Sequence, residues 1–169
     1  MPTGTFFRLP EEKRMRLMES AWEEFTHISY ADVSINKIIQ AAGIPRGSFY
    51  QYFDGKEDLF FYLLDDVRNH FIQALKSLLL DVDGDLFSLP MLAYDQFLQR
   101  RERGDLMPRR CIQILRINPG MDMFQTFSKP PFFLPDELFP LIDTAQFRCR
   151  DRNFVESAFF LSIMCLISV

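Results

Sequence analysis

Histidine is almost missing from this chain, with His27 and His70 alone, and the three cysteines, Cys111, Cys149 and Cys165, are far apart. A structural zinc site needs four clustered ligands of these types, so no metal and no cofactor is expected, and the cysteines read as free thiols. Glycine is scarce as well: seven residues, none of them gathered into a phosphate-cradling loop. No Ser/His/Asp or Cys/His set pairs a nucleophile with a base. The chain is therefore expected not to be an enzyme. Long apolar runs are absent too. The opening "MPTGTFFRLPEEKRMR" has no secretion-signal core. Phe154–Val169 is interrupted by Glu156 and falls short of the roughly 20 residues that span a bilayer. A soluble, cytoplasmic protein with no membrane partner is the expectation.

What is present is apolar bulk. Of 169 residues, 48% are hydrophobic and 19 are phenylalanine, enough for one large or two small cores. Net charge is −4, which does not favour nucleic acid, but the distribution matters more than the sum. From Ser34 to Lys56 the only charged residues are Lys37, Arg46, Asp54 and Lys56, a local positive excess. The acids gather on either side, in Glu11–Glu24 and Glu57–Asp66.

The hydrophobic pattern is helical throughout, and no stretch sustains strand alternation. Met15, Met18, Ala21, Trp22 and Phe25 form a stripe on a first helix over about 10–27. Ser34 stands as the N-cap of a short second helix, whose face is Ile35, Ile38, Ile39 and Ala42 and which Gly43 ends. A third helix is expected from Pro45 or Arg46 to Phe53. Asp54 and Glu57, spaced as a capping box, open a long fourth helix that "DVDGD" at 81–85 terminates. Further helices are expected over about 86–101, 108–117, 121–128, 135–147 and 151–169. The fold class is all-α.

Two short helices joined by a glycine turn have the dimensions of a helix-turn-helix. Such a motif aims the N-terminal side chains of its second helix at base edges in the major groove. Ile38, Ile44 and Phe49 lock the pair, which leaves Arg46, Gly47, Ser48, Tyr50, Gln51 and Tyr52 exposed. "VSINKIIQAAGIPRGSFYQYFDGKEDLF" also resembles the DNA-binding signature of the TetR family of transcriptional regulators, strongly over Ala41–Phe60 and more loosely over about 10–80. The resemblance implies a helix-turn-helix head over 1–54 and a helical ligand-binding and dimerisation domain over 55–169. By matching position it implies DNA contacts from Ser34, Lys37, Arg46, Gly47, Ser48, Tyr50, Gln51, Tyr52 and Lys56. Arg46, Ser48, Gln51 and Tyr52 would read bases; Tyr50 would put its phenol on the backbone. Lys56, a cation at a helix N-terminus, would answer a phosphate. Two departures stand out: Pro45 replaces a frequent serine, and Ile39 replaces a small alanine.

The distal half is rich in phenylalanine and methionine, which suits a wall for a hydrophobic small molecule. Met107, Met123, Phe124, Phe127, Phe139, Phe160 and Met164 are the candidate effector pocket. The arginines around Gly104, including Arg109 and Arg110, read as a solvated turn. The apolar last helix is expected to be buried, partly against a twin across a two-fold axis, and its abrupt end suggests a chain that extends further. The expected protein is a homodimeric repressor that leaves a double-stranded DNA operator when a small-molecule effector binds. The alternative is a helical ligand-binding or adaptor protein with a vestigial helix-turn-helix, for which the acidic pI of about 5.2 speaks.

Overall fold

The computed structural model describes residues 1–102, 106–119 and 134–167. Eight α-helices are found among them: α1 (Gly4–Phe7), α2 (Glu11–His27), α3 (Ile35–Ala42), α4 (Arg46–Phe49), α5 (Lys56–Asp81), α6 (Leu89–Glu102), α7 (Leu106–Ile117) and α8 (Arg152–Ile167). Two 3₁₀ turns, Phe139–Leu141 and Thr144–Gln146, lie between the last two. No strand occurs among the described residues, and the all-α expectation holds. The helix expected over 121–128 lies outside the described residues.

The chain divides into two compact units, one of Met1–Val67 with Arg109–Met121, the other of Arg68–Pro108 with Asp122–Val169. The first unit takes in more than a head of residues 1–54. Its core is Phe6, Leu17, Ala21, Trp22, Phe25, Ile38, Phe49, Phe53, Leu59, Leu63 and Ile114, all essentially sealed from solvent. The α2 stripe supplies Leu17, Ala21, Trp22 and Phe25, while Met15 stays exposed. The helix therefore turns a slightly different face inward from the one its methionines suggested. Arg110, expected in a solvated turn, instead pairs with Glu19 and lies over the Trp22 ring, 5.1 Å from its centroid.

The second unit packs around Ile72, Leu78, Leu79, Leu86, Leu89, Leu134, Leu138, Ile142, Phe147, Val155 and Phe159. Its entry turn is the expected "DVDGD": Gly84 takes φ 78° and its amide donates to the Leu79 carbonyl at 2.8 Å. Asp85 then accepts from the Phe87 amide at 2.8 Å and the Ser88 hydroxyl at 2.6 Å. The Ser88 bond holds the Asp85 carboxyl below its usual range. The helix expected over 135–147 is absent. Pro140 lacks an amide to donate, and the Asp143 carboxylate accepts from the Ala145 amide at 2.9 Å, a local bond that competes with helix. Short 3₁₀ turns result. In α8, Val155 and Phe159 are buried while Phe154 and Leu161 face solvent, so the last helix is only half covered by its own unit.

Candidate nucleic-acid interface

The turn between α3 and α4 is fixed by Gly43, at φ 66° and ψ 34°. Its amide donates to the Gln40 carbonyl at 3.2 Å and the next amide, Ile44, to Ile39 at 2.9 Å. These two bonds are the Schellman pattern, which needs a left-handed residue at this position. Pro45 then stands at the N-cap of α4 without a side-chain cap, its carbonyl accepting from the Ser48 amide at 2.9 Å. The missing hydroxyl anticipated from Pro45 is a fact of the fold. Ile39, the larger side chain at this position, is buried.

Helix α4 is shorter than expected. It ends at Phe49, and tightened turns carry the chain to Phe53 through bonds from Gln51 to Ser48 and from Tyr52 and Phe53 to Phe49. Residues three and four apart share a face in such turns. Phe49, Tyr52 and Phe53 therefore all point inward, and Tyr52 is only 8% exposed. This corrects the expectation that Tyr52 reads bases: it is a core residue. The spacing from Phe49 to Tyr52 already carried that signal.

The outward face keeps Arg46, Gly47, Tyr50 and Gln51 exposed, with Ser48 half-buried. Tyr50 is 49% exposed, its ring set edge-on against Phe49 at 5.3 Å. One side of the element is thus a sealed phenylalanine wedge and the other is polar and open. Lys37 is exposed on α3, 3.9 Å from the Glu24 carboxylate. Ser34 occupies the N-cap of α3 but makes no side-chain cap bond. Its amide donates instead to Glu24 at 3.3 Å. The capping role expected of the Ser34 hydroxyl is therefore not seen.

Lys56 departs furthest from expectation. Its ammonium donates to the carbonyls of Tyr30 at 2.8 Å, Ala31 at 2.9 Å and Val33 at 3.5 Å, and sits 4.9 Å from the centre of the Tyr30 ring. An ammonium has three donors, and three carbonyls take them. The cation at the start of α5 is explained by the loop before α3, with no phosphate required. The same loop is held from the residue just past α7, where the Asn118 side-chain oxygen accepts from the Tyr30 amide at 2.8 Å. Burial, with Glu57 nearby, raises the Tyr30 phenol above its ordinary pKa. The α5 cap also differs: the Asp54 amide donates to Asp58 at 3.2 Å, where Glu57 was expected. Neither Asn118 nor Glu24 was singled out by sequence reasoning; their partners lie 88 and 10 residues away, and no local pattern announces them.

Of the candidate effector residues, Met107, Phe139 and Phe160 are half-buried in the second unit. Phe139 packs at the edge of its core. Phe160 lines a surface depression with Asn153, Glu156, Ser157 and Leu161. Met123, Phe124 and Phe127 lie outside the described residues, as does the Met164 side chain. Among the described residues no group of His, Cys, Asp and Glu could hold a metal ion.

A left-handed glycine turn, a buried wedge and an open polar face on the second helix define a helix-turn-helix of the DNA-reading type. Residues 17–63 match the family model described as bacterial regulatory proteins, tetR family. The uncharacterized HTH-type transcriptional regulator YdgC of Bacillus subtilis is 36% identical over 70 residues, 41% of this chain and 36% of the relative. The transcriptional regulator AcuR of Cereibacter sphaeroides is 34% identical over 76 residues, 45% of this chain and 34% of the relative. A crystal structure of a TetR family transcriptional regulator from Chloroflexus aurantiacus J-10-FL superposes with a TM-score of 0.54 at 29% identity, covering 99% of this chain and 76% of that one. Residues 17–63 thus carry the likeness to the tetR family of bacterial regulatory proteins, and the fold resembles that of a solved TetR family transcriptional regulator. The chain spans between about a third and three fifths of the length of the curated relatives it matches.

Proposed function

We propose that the protein binds double-stranded DNA through its first unit and regulates transcription, as a homodimeric cytoplasmic repressor that a hydrophobic small molecule releases. The observation that carries the reading is the open face of Arg46, Gly47, Tyr50 and Gln51 against the sealed Phe49–Phe53 wedge. Arginine matches the two acceptors of guanine and glutamine pairs with adenine. The phenol of Tyr50, the hydroxyls of Ser34 and Ser48 and the ammonium of Lys37 suit phosphate oxygens. A methyl group added at Gly47 would meet nothing within 4 Å, so its open side leaves room for a close backbone approach. Lys56 would serve the interface indirectly, by fixing the loop that precedes α3.

Dimerisation is supported by the half-covered α8, whose Phe154 and Leu161 remain exposed. Two heads would meet half-sites of a pseudo-palindrome about 34–36 Å apart, or a multiple of it. An effector taken up among Met107, Phe139, Phe160 and the further Phe and Met residues of the second unit would act by population shift. It weakens operator binding by the ratio of its affinities for the two forms. The test is selection of bound fragments from genomic DNA, followed by affinities at fixed salt. A selected duplex should bind at least about a thousandfold tighter than a random one. Equal affinity for both would defeat the reading.

A further inference from the structure

The first eight residues lie before the stretch that matches the family model, yet they are built into the recognition element. Thr3 stands at the N-cap of α1, but its side chain makes no cap bond there. Its hydroxyl donates instead to the Gln51 carbonyl at 2.5 Å, and its amide donates to the Tyr52 carbonyl at 2.9 Å. Both acceptors sit in the turns just past α4, where the last carbonyls of a helix lack partners of their own. Three residues on, Phe6 is fully buried. Its ring lies 4.9 Å from Phe53 and 5.3 Å from Tyr62, and Phe53 is in turn 5.8 Å from Phe49, the wedge under the exposed face. A four-residue helix is too short to hold itself. What holds α1 is this tertiary seat, and a residue type that normally caps its own helix is committed to the backbone of Gln51.

We propose that the segment Met1–Arg8 is a strap that positions the recognition turn. By holding the Gln51 and Tyr52 carbonyls and backing Phe53, it fixes the direction in which the Gln51 and Tyr50 side chains leave the fold. Thr3 is a positioning residue: its hydroxyl acts through the Gln51 backbone and touches no base. The strap sharpens discrimination between sequences and leaves the phosphate-driven part of binding alone. This inference rests on the DNA-binding reading above.

The experiment compares the full chain with Thr3→Val, which keeps the shape and removes the hydroxyl, and Thr3→Ser, which restores it. Affinity for a selected duplex and for a random duplex is measured at several salt concentrations, with amide hydrogen exchange over residues 49–53 alongside. Thr3→Val should bind the selected duplex roughly fivefold more weakly, the scale of one lost side-chain hydrogen bond. The random-duplex affinity and the salt slope should not move, exchange over 49–53 should quicken, and Thr3→Ser should behave as the parent. A Thr3→Val protein that matches the parent on both duplexes, or weakens equally on both, overturns the proposal. If the parent itself fails to discriminate, the DNA-binding reading falls first, and the strap is judged on exchange alone: quickened exchange upholds the buttress and unchanged exchange removes it.

Discussion

Gly43 in the first unit ends α3, and Gly84 in the second lies in the turn three residues past the end of α5; both take the left-handed region, at φ 66° and φ 78°, but their surroundings are opposite. Around Gly43 an added methyl would meet nothing within 4 Å. At Gly84 the same methyl would press into the Leu141 carbonyl and the Asp143 amide, and that amide already donates to the Gly84 carbonyl at 3.0 Å. The head turns on bonds between neighbours in sequence. The second unit turns on a segment some sixty residues away. A local device can be read from a short motif, and a packed one cannot.

Breaking each glycine separates the two cases. Gly84→Ala adds a backbone clash to the conformational cost and should destabilise the second unit by about 3 kcal/mol. Urea unfolding followed by circular dichroism measures this. A loss as small as that of an exposed alanine would show that the distal turn is not packed. Next in size is Lys56→Met, which keeps the apolar stem and removes a charged donor from three carbonyls. It should cost about 2 kcal/mol in the stability of the first unit. The slope of DNA affinity against salt should stay as in the parent, whereas loss of a phosphate contact would lower it by about 0.9. Gly43→Ala should cost about 1 kcal/mol, the left-handed penalty alone. The smallest contrast is chemical. Burial pushes the Cys111 thiol up to about 11, so it stays protonated at pH 8 and should resist a thiol reagent. The exposed Cys149 should react within minutes. A Cys165→Ser background confines the measurement to these two.

The same contrast explains what the sequence disclosed. The order α2–α3–turn–α4–α5 was legible because Gly43, the Ile38 face and the start of α5 are local signals whose bonds close within a few residues. Arg46, Gly47, Tyr50 and Gln51 were placed correctly on the open face. Tyr52 was misplaced because its polar tip outweighed its spacing from Phe49, which turns it inward. The carbonyls that Lys56 holds were not foreseen for a different reason: those of Tyr30, Ala31 and Val33 are backbone groups 23 or more residues away. The 3₁₀ turns over 139–146 escaped notice because Pro140 and the Asp143 side-chain bond defeat a periodicity that otherwise looks helical. Asn118 and Arg110, which seat the α7 segment in the first unit, follow from tertiary packing alone.

The proposed function rests on base reading by the open face of α4 and of the turn that follows it, Arg46 to Gln51. The most direct test is the double variant Arg46→Ala/Gln51→Ala, measured against a selected and a random duplex at one salt concentration. Each good base contact contributes about 1–3 kcal/mol of discrimination. The variant should therefore lose roughly a hundredfold or more on the selected duplex while keeping its helical content and most of its random-duplex affinity. A double variant that still prefers the selected duplex by the parent's full margin would contradict the account.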